Sequence, residues 1–174
     1  MLDAESPLKQ QKPLTICELL THRGEFADKL VTVRGELKAG PHGGWLEADP
    51  DCKYRLVTKG VTWRNKIWLQ YPNNRSPEAS DHADFGFDRL TEIKLNSIVS
   101  GLGFDSTNDH LFETVIGLFR TFSDRDLDSR VNPNFPPGTY LRTLGFGAGA
   151  DAPAKLLIKA RKDPVVVHGA TNSK

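Results

Sequence analysis

The sequence is short of the features that announce a function. It has no apolar run approaching the ~20 residues of a membrane-crossing helix. It has only two cysteines, Cys17 and Cys52. Two thiols are too few for a structural zinc site without histidines, and no His sits at ligand spacing from either one. Two readings of the pair stay open. They are small half-buried thiols, or they form one disulfide tying the opening helix to the loop after the second strand, which would argue for export. The N-terminal stretch MLDAESPLKQQKP lacks the basic and then apolar regions of a signal peptide. As written the chain reads as cytoplasmic, and as exported or periplasmic if it is a mature form.

Catalytic and cofactor signatures are also missing. No Ser, Cys or Thr has a nucleophile context, and we expect a non-catalytic chain with no cofactor. GFGAGA at 145–150 has glycines but no preceding strand, no following helix and no Lys-Ser/Thr, so it reads as a flexible loop or bulge. His82-Ala83-Asp84 and Asp109-His110 match no metal-ligand spacing, and read as polar loop residues. Asp124, Asp126 and Asp128 alternate as calcium ligands do, but no Gly or closing Glu follows.

What is present is an ordinary globular composition, 174 residues with 38% hydrophobic and 26% charged. We expect one domain over 14–168, a disordered polar leader over 1–13 and a tail over 169–174. Thr15 and Glu18 have capping-box spacing, flanked by Leu14 and Leu19 as a hydrophobic staple. Ile16, Leu19 and Leu20 make one apolar stripe, and Gly24 marks the expected helix end. Val31, Val33 and Leu37 then alternate with polar residues as in a half-buried strand, with Gly35 on the apolar face as a candidate bulge or bend. Trp45–Glu47 completes a hairpin. Leu56–Thr58 and Lys66–Tyr71 are short strand candidates.

Phe87–Leu102 has helical periodicity. Leu111–Phe122 reads as a central strand with a second candidate bulge at Gly117. Residues 124–138 read as loop. Lys155–Ala160 is a strand, extended or followed by Val165–Val167 across a kink at Pro164. The fold class is mainly β with two helices. The arrangement is that of an OB-like five-stranded β-barrel with a leading helix and a helix between strands three and four.

The segment KLVTVRGELK behind its leader helix resembles bacterial OB-like domains of the tRNA-anticodon-binding type. WLEADPDC…VTKGVTWRNKIWL and GFGAGADAPAKLLIKARKDPVVV resemble uncharacterised proteins of acidobacterial type. The resemblance covers most of 14–168 and implies an OB-like barrel, in a group whose members are often exported. It implies no catalytic residue.

Charge placement marks one candidate binding face. Between Cys52 and Pro77 lie Lys53, Arg55, Lys59, Arg64, Lys66 and Arg75 and no acid. Tyr54, Trp63, Trp68 and Tyr71 are interleaved with them. Basic grooves with stacking aromatics are how OB barrels hold single strands. The candidate ligand residues are therefore Tyr54, Lys59, Trp63, Arg64, Lys66 and Trp68. The ligand would be a single-stranded nucleic acid or an oligosaccharide. Against this, tryptophans in small barrels commonly pack inward. Residues 76–128 are strongly acidic and could pair with the basic segment, and the whole chain carries only +1. The alternative is an exported or envelope-associated interaction domain with a Cys17–Cys52 disulfide and a protein partner.

Overall fold

The computed structural model describes residues 12–40, 43–71, 89–101, 103, 108–134, 145–147 and 151–169. Most of the expected leader, the tail beyond Gly169, and the His82/Asp84 pair lie outside them. The capping box forms as its spacing requires. The Thr15 N–H donates to Glu18 Oε2 at 2.7 Å, and the Glu18 N–H donates to Thr15 Oγ1 at 3.1 Å. Helix α1 spans Ile16–Thr21 and stops short of Gly24. The Thr21 hydroxyl donates back to the Cys17 carbonyl at 2.7 Å, a side-chain bond that competes with helix continuation. A one-turn helix α2, Arg23–Phe26, follows and contains Gly24.

The strands are β1 (Leu14–Thr15), β2 (Leu30–Gly40), β3 (Gly43–Glu47), β4 (Val57–Thr58), β5 (Val61–Thr62), β6 (Lys66–Gln70), β7 (His110–Thr121) and β8 (Ala154–Val167). Helix α3, Arg89–Gly101, lies between β6 and β7, and α4, Asp124–Ser129, between β7 and β8. Five strands close a mixed barrel. β2 pairs antiparallel with β3 and β7, β3 with β6, and β7 with β8, while β6 and β8 are parallel. The parallel pair needs a long crossover, which the chain through α3 and β7 supplies. β1 adds to the edge of β2 in parallel, Leu14 opposite Val33.

The alternation in each strand decides what lies inside. Val33, Leu46, Ile67, Val115, Phe119, Leu156 and Ile158 are buried together, and α1 sets Ile16, Leu19 and Leu20 into the same core. Burying three such side chains stabilises by roughly 5–9 kcal/mol as an upper bound. The cap contributes about 1 kcal/mol. Packing, more than capping, therefore holds this short helix.

The glycines explain two local features. Pairing of β2 with β7 runs without a register shift across Gly35, so no bulge forms there. A Cβ at Gly35 would stand 2.7 Å from Ile16 Cγ1, and the missing side chain is what lets α1 approach the strand. At Gly117 the register with β8 does shift, and a Cβ would meet the Leu157 carbonyl oxygen at 2.5 Å.

The structure refines two expectations and overturns a third. The strand candidate at Leu56–Thr58 forms over Val57–Thr58, outside the barrel. Val57–Thr58 folds onto Val61–Thr62 as a separate hairpin, with Lys59 and Gly60 at φ 48° and 73°, the left-handed pair of a two-residue turn. At Pro164, where the sequence allows extension or a following strand, β8 extends. A register shift between Phe112 and Thr114 absorbs Asp163 and Pro164, and the strand continues to Val167. The acidic run read as loop begins with α4, because Ser123 caps it. Its Oγ accepts from the Asp126 N–H at 3.2 Å and donates to Asp126 Oδ2 at 2.7 Å. Asp126 is thereby a capping residue, and Asp124 pairs with Arg23.

Candidate ligand-binding face

On β6, Ile67 and Leu69 point into the core, which turns Lys66, Trp68 and Gln70 outward. On β3, Leu46 points inward and Trp45 and Glu47 outward. The register sets Trp45 opposite Trp68 and Glu47 opposite Lys66. The two indoles lie 6.3 Å apart between centroids and 13° from parallel. Lys66 Nζ sits 4.7 Å from the Trp45 ring centroid, a cation–π contact.

This face is already covered by the chain itself. Phe146 and Ala152 form an antiparallel bridge, closing a small loop in the β7–β8 connection. Phe146 stacks on Phe122 with centroids 4.3 Å apart, and Lys155 Nζ stands 5.1 Å from the Phe146 ring. Gly147 lies against Trp68 so closely that a Cβ there would fall 2.3 Å from the indole Cε3. At the other end, Asp151 Oδ1 accepts from Lys66 Nζ at 2.6 Å, and its Oδ2 lies 3.3 Å from Arg64 Nε. Lys66 is only 5% exposed, while the Arg64 side chain is 68% exposed. The arrangement is a buried ammonium and a guanidinium holding one carboxylate beside an indole.

The six candidate ligand residues do not form one face. Arg64, Lys66 and Trp68 come together. Trp63 does not join them, because it is 2% exposed and packs with Val61, Leu127 and Val131 in a second apolar cluster under the β4–β5 hairpin. Tyr54 is half-buried against the main core, and its hydroxyl accepts from Arg23 Nη1 at 2.8 Å. Lys59 is exposed at the tip of the separate hairpin. Trp68 itself is half-buried under Gly147, not an open stacking platform.

Cys17 and Cys52 form a disulfide, with Cα atoms 5.6 Å apart. It ties α1 to the loop after β3. Asn65 supports that loop by donating to the Tyr54 carbonyl at 2.9 Å. An open cleft of about 410 Å³ lies nearby, lined by residues that include His22, Arg23, Glu25, Phe122 and Asp124. Its charged groups pair with one another, His22 with Glu25 at 3.2 Å and Arg23 with Asp124.

A second charged cluster was not anticipated from the sequence. Glu113, 0% exposed, lies opposite Gly35 in the β2–β7 pairing. Arg161 Nε donates to Glu113 Oε2 at 2.7 Å and its Nη2 to Oε1 at 2.5 Å, a two-pronged pair. Arg161 Nη1 also donates to Glu92 of α3 at 2.5 Å and to the Tyr71 hydroxyl at 2.9 Å. Burial opposes the charge on Arg161, but the bonds and charge of Glu113, with Tyr71 and Glu92 behind it, hold the guanidinium above its ordinary pKa. Burial pushes the Tyr71 phenol up as well, and Glu92 adds to it against the opposing charge of Arg161. The cluster pins α3 to β7 and β8. Its one sequence signal is a lone acid in the apolar run LFETVIGLF.

Compared with known proteins, the chain matches no protein-family model, no curated protein and no solved structure.

Proposed function

We propose that the protein is a non-catalytic binding module built on an OB-like barrel and working in an oxidising compartment. Counting barrel strands alone, the order is 1-2-3-5-4 closing on 1, with a helix between the third and fourth. That order supports the OB-like reading. The observation that carries the compartment is the Cys17–Cys52 disulfide. Such bonds persist outside the reducing cytosol and are rare within it. Cell fractionation with thiols trapped before lysis tests the reading. The expected result is protein in the envelope or secreted fraction with no alkylated cysteine. Recovery in the cytosol with both thiols alkylated would overturn it.

A second reading concerns the ligand, a single-stranded nucleic acid or an oligosaccharide on the outer face of β3 and β6. The carboxylate of Asp151, held by Lys66 and Arg64 on the face that carries Trp45 and Trp68, favours it. Faces over these two strands serve OB barrels as ligand sites. Tryptophan fluorescence titrated with mixed-sequence single-stranded DNA and with oligosaccharides, at low and moderate salt, should show saturable quenching. A flat titration with every ligand at low salt contradicts it.

A further inference from the structure

We propose that the β3–β6 face is a receptor for a carboxylated sugar, and that Gly147 and Asp151 stand in for that ligand in the structure described here. The inference rests on the ligand reading above and names the chemical class.

The stand-in has two parts. Asp151 offers a planar two-oxygen carboxylate, one oxygen to Lys66 at 2.6 Å and the other facing Arg64 at 3.3 Å. A uronate carboxylate has the same charge and shape. Gly147 offers C–H and peptide surface to the indole of Trp68, with no side chain between. A sugar ring presents C–H bonds to an indole face in the same way. Lys66 is buried, and Asp151 is the carboxylate it meets. Removing that carboxylate leaves a desolvated ammonium that favours another anion.

Two observations favour a sugar acid over a nucleic acid. A nucleic-acid groove needs a row of cations following many phosphates, but here Lys59 sits on a separate hairpin, Lys66 and Arg64 share a single carboxylate, and Lys155 lies over the Phe146 ring. The aromatic surface, Trp45 with Trp68, is half-buried, while Trp63 is in the core.

The position of Gly147 provides the test. It has φ 84°, and a Cβ there collides with Trp68, so Gly147→Ala forces residue 147 and the indole apart. Asp151→Asn removes the internal carboxylate without changing its shape. The probes are tetragalacturonate and an oligodeoxythymidine of matched charge, with binding read by calorimetry and Trp fluorescence. Both variants should bind tetragalacturonate about tenfold more tightly than the parent chain, the scale of one charge-assisted contact removed from competition. Adding Lys66→Gln to Asp151→Asn should abolish the gain. Tightening that survives Lys66→Gln, or no tightening in either variant, overturns the proposal. If the parent chain already binds as tightly as the variants, the ligand face stands and the stand-in falls. If only oligodeoxythymidine binds, the sugar assignment falls. If no form binds either probe, the face and the proposal fall together.

Discussion

Replacing Glu113 with leucine isolates the energetics of the charged cluster inside the barrel. The substitution removes the two charge-assisted bonds to Arg161 at 2.5 and 2.7 Å and leaves a buried guanidinium with Glu92 and Tyr71. Breaking a buried pair from one side costs about 3–5 kcal/mol, most of it the unpaired charge left behind. Arg161→Met acts from the other side, leaving Glu113 and Glu92 as two carboxylates with no cation between them. The double variant removes both charges and should lose less than the sum, with a coupling of about 2 kcal/mol or more. Urea unfolding followed by tryptophan fluorescence measures all four forms. Single losses below about 1 kcal/mol at neutral pH, or additivity within about 0.5 kcal/mol, would refute the reasoning.

Other substitutions test other parts of the account. Replacing Cys17 and Cys52 together with serine should lower the unfolding free energy by about 4 kcal/mol, the loop-closure value for a separation of 35 residues, and an unchanged urea midpoint would contradict it. Gly35→Ala should cost about 1–3 kcal/mol because its Cβ meets Ile16. Gly24→Ala has nothing within 4 Å and lies in a helix, so it should be neutral or stabilising by up to about 1 kcal/mol, and equal effects at the two sites would count against the packing argument. The Glu18 carboxyl is held below its ordinary pKa, first by the Thr15 N–H and then by the Thr15 hydroxyl. Its contribution is thus present above the unfolded pKa and lost as pH falls through the folded one. Glu18→Gln should flatten the acid limb of the stability curve while lowering stability by about 1 kcal/mol near neutrality; an acid limb as steep as the parent's would contradict the assignment.

Local signals survived translation into structure where one short range of chain decides the outcome. The Thr15–Glu18 cap, the alternation of Val31 and Val33, the bulge at Gly117 and the run from Leu111 are all in this class. What was not legible depends on distant partners. Gly35 reads locally as a bulge, but its role is set by Ile16 on the helix before it. At Pro164 the sequence leaves extension and a following strand both open, and the register shift against Phe112 and Thr114 decides for extension. Trp63 and Trp68 look alike in the sequence, and only the β4–β5 excursion, which turns one of them onto Leu127, separates them. Asp151 carried no signal, since its partners Lys66 and Arg64 lie far back in the chain.

The state of the two cysteines bears on the central claim most directly. Protein from its natural source, alkylated before lysis and digested without reductant, should yield one cross-linked peptide pair containing Cys17 and Cys52 and no alkylated form of either. Recovery of both as separate alkylated peptides would contradict the disulfide-held module and the oxidising compartment with it.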